Sequence, residues 1–403
     1  MSTTFDVDLH AMAHGGEAIG RLPDGRAVFV RGGIPGERVR IDVEHQKKRW
    51  ARARLVEVLE PSPDRVEPPC PFADDCGGCQ WQHIALDRQR VLKREILRGQ
   101  LQHLAGIDDP PVEEVRAVGE PDGFGYRNHV ALSVDDQGRV GYLRAGSHEV
   151  VPVDHCAVLH PLLREWHEAL PPLPGVRKVE LRVGTRTAQR LAMTRGRPDA
   201  AAADEAAERG VPLVPAGTGE ITEMVGTHKL RISSKSFFQV NTDGAEALVE
   251  LALEMLDPQP EHTVVDAYAG VGLFTLPLAE RAGRVLSIER HPAAVRDLRH
   301  HAEEAKTSIH VIATDVSDAF AQLPKQVDRV LADPPRDGLG ADVARSLAEL
   351  QPSRIVLVAC DPAALGRDVG SLVEHGFRLE RVVGVDLFPH TFHVEAVALL
   401  SAR

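Results

Sequence analysis

The run Ile355-Val356-Leu357-Val358-Ala359 reads as a buried strand, and it ends directly in Cys360-Asp361-Pro362. A thiol at the carboxyl end of a central strand faces the crevice where open α/β sheets bind ligands. The bland alternative is a buried, inert cysteine. A thiolate there is a soft nucleophile that can form a covalent intermediate. Nearer the C-terminus, Phe388-Pro389-His390-Thr391-Phe392-His393-Val394-Glu395 leads into a run of Val, Ala and Leu. A carboxyl entering such surroundings has a raised pKa and can act as a general base. On a strand His393 and Glu395 point to the same face, so either could serve.

A second constellation starts at Thr263-Val264-Val265 and continues Asp266-Ala267-Tyr268-Ala269-Gly270-Val271-Gly272-Leu273-Phe274. The glycines permit a sharp turn and close approach to a ligand at a helix N-terminus. The next strand, Val285 to Ile288, ends in Glu289, placed to accept both hydroxyls of a cofactor ribose. A dinucleotide fold would want Gly or Ala where Thr275 stands. The Asp-x-x-x-Gly-x-Gly form instead resembles class I S-adenosylmethionine methyltransferases. Asp315, after Ile309 to Ile312, either holds the adenine amine or caps a helix. Val330-Leu331-Ala332 ends in Asp333-Pro334-Pro335-Arg336, whose prolines stiffen a loop in the binding crevice. Amino-group methyltransferases often carry an aromatic after Asp-Pro-Pro. Arg336 there argues against a base amine as methyl acceptor.

Cys70, Cys76 and Cys79 crowd one loop with Gly77 and Gly78, whereas Cys156 and Cys360 stand apart. Five cysteines and no secretory signal argue against a disulfide framework. Four thiolates would suit zinc or an iron–sulfur cluster equally.

These residues need a scaffold. From Thr242 onward helices alternate with apolar strands, which specifies a mostly parallel sheet with helices on both faces, an α/β Rossmann-like catalytic domain over 241–403. It opens with a helix over 245–256 and closes with an antiparallel pair, 381–387 and 394–400. Residues 1–60 hold short strands with Gly-rich turns and read as a small barrel. Pro61, Pro63, Pro68 and Pro69 mark a boundary. Residues 61–240 form a strand-rich central domain with the cysteine loop, a helix over 86–104 that can pack on the catalytic domain, and a surface helix over 200–207. The chain has 403 residues, 43% hydrophobic and only 4% aromatic, so Ala, Val and Leu must fill the cores. Net charge is −12, yet Arg38 to Arg54 is strongly basic. In that stripe Trp50 either stacks on a base or lies in the barrel core. The N-terminus lacks an apolar leader and no run is long enough for a membrane span, so a cytoplasmic protein is expected, with a monomer as the default.

At these residues the chain resembles the RNA 5-methyluridine methyltransferases, over nearly its whole length. Ser236-Phe237-Phe238-Gln239-Val240-Asn241 is similar to their Phe-Phe-Gln-x-Asn segment, and Phe124-Gly125-Tyr126-Arg127-Asn128 to a substrate-facing segment. The resemblance implies that Gln239, Tyr268, Glu289 and Asp333 hold S-adenosylmethionine, that Cys360 is the nucleophile and that Glu395 is the base. It implies an OB-like TRAM barrel at the N-terminus and RNA, either rRNA or tRNA, as partner. The rRNA-type members imply a 4Fe–4S cluster on Cys70, Cys76, Cys79 and Cys156. Two departures stand out: Asp361 where the family commonly has Asn, and Leu273 where Asn often follows the glycines. Two rival readings are a methyltransferase for a base amine or a protein, and an inactive RNA-binding cluster protein.

Overall fold

Along Arg38–Gln46 the side chains alternate: Val39, Ile41 and Val43 point into a core, and Arg38, Arg40 and Asp42 point away. This period of two is what a half-buried strand requires. The computed structural model describes residues 4–305 and 307–403. Five such strands, Thr4–Met12, Ala18–Arg21, Ala27–Arg31, Arg38–Gln46 and Trp50–Glu60, close into a barrel when the first pairs with the fourth. Closure leaves no free edge. The outward arginines meet acids: Arg40 pairs with Asp6 and Glu57 on the two neighbouring strands, and Arg52 with Glu17 in the first hairpin turn. Lys47, Lys48 and Arg49 are exposed at a turn beside Trp50. Trp50 is half-buried on the outer wall, edge-on to Phe29 at 6.1 Å with the Arg52 guanidinium over its ring, so it is not a core residue.

The barrel core does not end with the barrel. Trp81, Ile84, Leu92 and Ile96 complete it from outside. The last two lie on the helix Leu86–Ala105, whose Leu97 and Leu101 enter the catalytic core instead. The helix is therefore a wedge between the two. It lies against the helix Pro362–Glu374, where a Cβ at Gly366 would sit 2.9 Å from the Gln100 carbonyl oxygen. Only glycine allows that approach.

The central region is a six-stranded sheet in the order Leu213–Pro215, Arg190–Gly196, Val176–Val183, His129–Val134, Val140–Leu143, Val150–Pro152. The helices Pro161–Ala169 and Ala200–Glu208 and the hairpin Glu220–Val225/His228–Ser233 accompany it. The helix Thr242–Leu256, capped by the Asn241 side chain, leads into the C-terminal domain.

That domain is a seven-stranded sheet: Ile309–Ile312, Arg284–Ile288, Thr263–Ala267, Arg329–Ala332, Arg354–Ala359, Glu395–Ala402, Phe377–Val385. The first five are parallel and the last two antiparallel to their neighbours. One core lies on each face: Leu97, Val330, Leu347 and Leu372 on one, Leu248, Leu251, Phe274 and Val356 on the other. The strand order reverses between Thr263–Ala267 and Arg329–Ala332, and ligands bind at such a switch point. No helix among the described residues is long and apolar enough to cross a membrane.

Candidate active site

Arg354–Ala359 delivers Cys360 to the crevice, and Glu395 begins the strand paired with it. Ala359 lies opposite Ala396 in an antiparallel register. Cys360 and Glu395 therefore each adjoin that last pair, and the Glu395 charge acts on the Cys360 thiol. Cys360 is half-buried, and its thiol is pushed up to about 12, first by burial and then by Glu395 and Asp333, while Arg336 pulls it down. Glu395 is 4% exposed, and burial lifts its carboxyl to about 8. Asp333, at the neighbouring strand end, is lifted to about 7 by burial and by the charge of Asp266. Four groups on three adjacent strand ends therefore share one electrostatic site.

His393 needs a correction. The strand starts at Glu395, so the alternation that gave His393 and Glu395 one face does not apply. His393 sits in the preceding loop against Phe392 and Phe388. Burial lowers its pKa to about 4, so it is neutral and a weak base. Glu395, in an interior strand, is the better-placed acceptor. The loop ahead of it is held from three directions. Lys93, fully buried on the wedge helix, pairs with Asp386 and donates to the Phe388 carbonyl. The Gln89 side chain accepts from the His390 backbone N–H at 2.8 Å. Phe124 stacks on His390 with ring centres 4.1 Å apart.

The cofactor side is organised by the turn after Thr263–Ala267. Tyr268 has φ +65°, Gly270 +57° and Gly272 +99°. A Cβ at Gly272 would lie 2.9 Å from Leu298 Cδ1. Glu289 accepts the Gly270 N–H at 2.9 Å through one carboxylate oxygen and the His291 N–H at 2.6 Å through the other. The carboxylate is thereby fixed at the end of the second strand. Asp315 caps a short helix: it accepts from the Ser317 N–H and hydroxyl and pairs with Arg290 at 3.0 Å. Its charge still reaches the Tyr268 phenol, whose pKa burial lifts to about 12. Gln239 is buried, and the Asn128 amide donates to its carbonyl at 3.1 Å. Tyr126 and Asn128 are thus internal braces rather than an open contact surface.

Sequence reasoning passed over three residues. Asp266 is fully buried, bonded to the Thr275 hydroxyl, and lifted to about 7 by burial. It ties the cofactor turn to the helix beyond, and its place at the head of the glycine motif was the available signal. Arg336, read only as a departure from an aromatic, carries a positive charge that pulls the Cys360 thiol down. Phe237 is 70% exposed, and a ring so exposed can stack on a base.

Cys70, Cys76, Cys79 and Cys156 are free and half-buried. The loop of the first three lies along the strand Val140–Leu143, through Gly77 N–H to the Leu143 carbonyl at 3.0 Å. The Tyr142 hydroxyl donates to Cys156 Sγ at 3.3 Å. Burial raises the Cys79 thiol to about 12, and the other three thiols add to it. The fold thus gathers the four, although no group of three or more His, Cys, Asp or Glu among the described residues is drawn tightly enough to hold a single metal ion.

Residues 224–403 match the profile of the tRNA (uracil-5-)-methyltransferase family, and residues 2–56 match the TRAM domain. An uncharacterized RNA methyltransferase of Gloeobacter violaceus is 35% identical, over 99% of this chain and 96% of its own. The 23S rRNA (uracil(1939)-C(5))-methyltransferase RlmD of Chromohalobacter salexigens is also 35% identical, over 99% of this chain and 90% of its own. Among solved structures, the Pyrococcus abyssi tRNA (uracil-54, C5)-methyltransferase in complex with S-adenosyl-L-homocysteine superposes with a TM-score of 0.76. It is 25% identical and covers 98% of this chain and 100% of its own. With the strand order, the glycine turn and the thiol–carboxyl pair in place, these likenesses settle the family: the chain belongs to the S-adenosylmethionine-dependent RNA uracil-C5 methyltransferases.

Proposed function

We propose that the protein methylates carbon 5 of a uridine in 23S rRNA through a covalent bond between Cys360 and carbon 6 of the base. The observation that carries this is that Cys360 and Glu395 each adjoin the last pair of one strand ladder, Ala359 with Ala396, and that the Glu395 charge acts on the Cys360 thiol. Carbon 5 of uracil is too weak a nucleophile to take a methyl group unaided. The Cys360 thiol gives up its proton to solvent, and addition of the resulting thiolate at carbon 6 moves an electron pair toward carbon 5, which then attacks the methyl group. S-adenosylmethionine supplies that methyl and leaves as S-adenosylhomocysteine. The Glu395 carboxylate removes the proton now on carbon 5, the pair re-forms the double bond, and the carbon–sulfur bond breaks to release Cys360.

The pKa pattern suits this order. Burial favours the protonated thiol in the free protein, and Arg336 favours the thiolate. Glu395 lies near its midpoint around pH 8, so both forms are available at little cost. Gln239, Tyr268, Glu289 and Asp333 are assigned to the cofactor, with Asp315 on the adenine side. Cys70, Cys76, Cys79 and Cys156 are assigned to a 4Fe–4S cluster that braces the cysteine loop, since the transfer involves no redox step. The barrel, 1–60, grips RNA through Lys47, Lys48 and Arg49, the central region 61–240 carries the cluster, and 241–403 performs the chemistry. The protein acts in the cytoplasm as a monomer.

The choice of 23S rRNA rests on the relatives named for it at 35% identity, against a tRNA enzyme at 25%. Mass-spectrometric mapping of 5-methyluridine in rRNA and tRNA from a deletion strain tests it. Loss of one 23S site supports the assignment; loss of a tRNA site with rRNA intact overturns it.

A further inference from the structure

The first hairpin turn of the barrel, residues 13–17, reaches the catalytic loops. His14 Nε2 lies 3.1 Å from Asp361 Oδ2, across 347 residues of chain. Asp361 directly follows Cys360, and its other oxygen accepts the Ala364 N–H at 2.8 Å, capping the helix Pro362–Glu374. One carboxylate therefore ties the nucleophile loop both to its own helix and to the barrel. The same turn touches the loop that leads to Glu395. Gly16, at φ +84°, lies so close to Phe392 that a Cβ there would stand 2.8 Å from the Phe392 Cβ. The Trp81 indole N–H donates to the Gly16 carbonyl at 3.1 Å, and the Trp81 backbone N–H donates to the His390 carbonyl at 2.9 Å. The hairpin is thus wedged between the loop after Cys360 and the loop before Glu395.

We propose that His14 is a positioning residue for methyl transfer: through Asp361 it fixes the nucleophile loop relative to the barrel, so that RNA held by the barrel meets the Cys360 sulfur in one frame. The inference rests on the proposed nucleophile. The side chains of His14 and Asp361 are 32% and 29% exposed, and a pair so open to water contributes little to stability. Its value lies in where it is attached. A small misplacement of a reacting atom costs far more in rate than in folding.

The test uses the full-length protein with His14→Ala, His14→Gln, Asp361→Asn, and His14→Ala combined with Asp361→Asn. Single-turnover methyl transfer from S-adenosylmethionine to a 23S rRNA transcript gives the maximal rate, and equilibrium binding gives the RNA and cofactor affinities. His14→Ala is expected to slow the maximal rate about tenfold with both affinities essentially unchanged. His14→Gln, which keeps a donor, restores most of the rate. The double variant is no slower than the slower single one. An unchanged rate, a loss confined to RNA affinity, or strictly additive losses would overturn the inference. Alkylation of Cys360 by iodoacetamide, read on its own peptide, needs no RNA. It should be several-fold faster in His14→Ala, and equal rates count against the latch. If wild-type protein transfers no methyl group while this alkylation difference holds, the proposed function fails and the latch survives.

Discussion

Replacing Glu395 by Gln preserves shape and hydrogen-bonding reach but removes the ionisable oxygen. Glu395 is 4% exposed, and burial raises its carboxyl from 4.5 to about 8. In the unfolded chain it loses its proton near 4.5, whereas in the native fold it keeps that proton until about pH 8. Between those values the native state binds more protons than the unfolded one, so this residue's contribution to stability falls as pH rises. At about 1.4 kcal/mol per pH unit, the accumulated loss is on the order of 5 kcal/mol once the native carboxyl is ionised. Gln carries no such dependence. The Glu395→Gln protein should gain on wild type from pH 5 to about pH 8 and level off above it, and the part of the difference that depends on pH should vanish below pH 4.5. Urea unfolding followed by circular dichroism at several pH values measures this. The variant also lacks the group that takes the carbon 5 proton, so methylated RNA should remain bonded to the protein instead of being released. Parallel stability curves for the two proteins would refute the raised carboxyl. Undiminished turnover would refute its role as base.

Further outcomes follow from other parts of the molecule. Lys93→Met leaves the buried Asp386 carboxylate with only the more distant Arg90, at 4.0 Å, which should cost up to about 3 kcal/mol and lower the melting temperature; pairing it with Asp386→Leu should recover most of the loss. Gly272→Ala forces a Cβ within 2.9 Å of Leu298 Cδ1 at a left-handed φ, so S-adenosylmethionine binding by calorimetry should weaken by about tenfold or more. Protein purified without oxygen should be brown with broad visible absorbance, and Cys156→Ser should bleach it; a colourless, zinc-loaded preparation would reject the iron–sulfur assignment.

Local pattern carried much of the site. The apolar run before Cys360 and the glycine turn after Asp266 are strand-end signals, because a parallel sheet buries its strands and exposes their carboxyl ends. Glu395 was legible from its apolar surroundings, but the start of its strand was not. The loop through His393 is fixed by Lys93, Gln89 and Phe124, all far away in sequence. Register was also hidden. The basic stripe of the barrel looked like a free cationic surface, yet Arg40 faces Asp6 on one neighbouring strand and Glu57 on the other. Asp315 could be read two ways because a cap and a ligand contact both place an acid after a strand. The pairing of His14 with Asp361 has no sequence signature at all; it exists only because the wedge helix docks the barrel on the catalytic sheet.

The sulfur of Cys360 is the most direct point of attack on the whole scheme. Incubation with 23S rRNA carrying 5-fluorouridine and with S-adenosylmethionine replaces the departing proton by fluorine, which cannot leave. The adduct should survive denaturation, and its peptide should map to Cys360. No adduct should form with Cys360→Ala, which should still bind the cofactor. Methyl transfer by Cys360→Ala, or an adduct on another residue, would contradict the scheme.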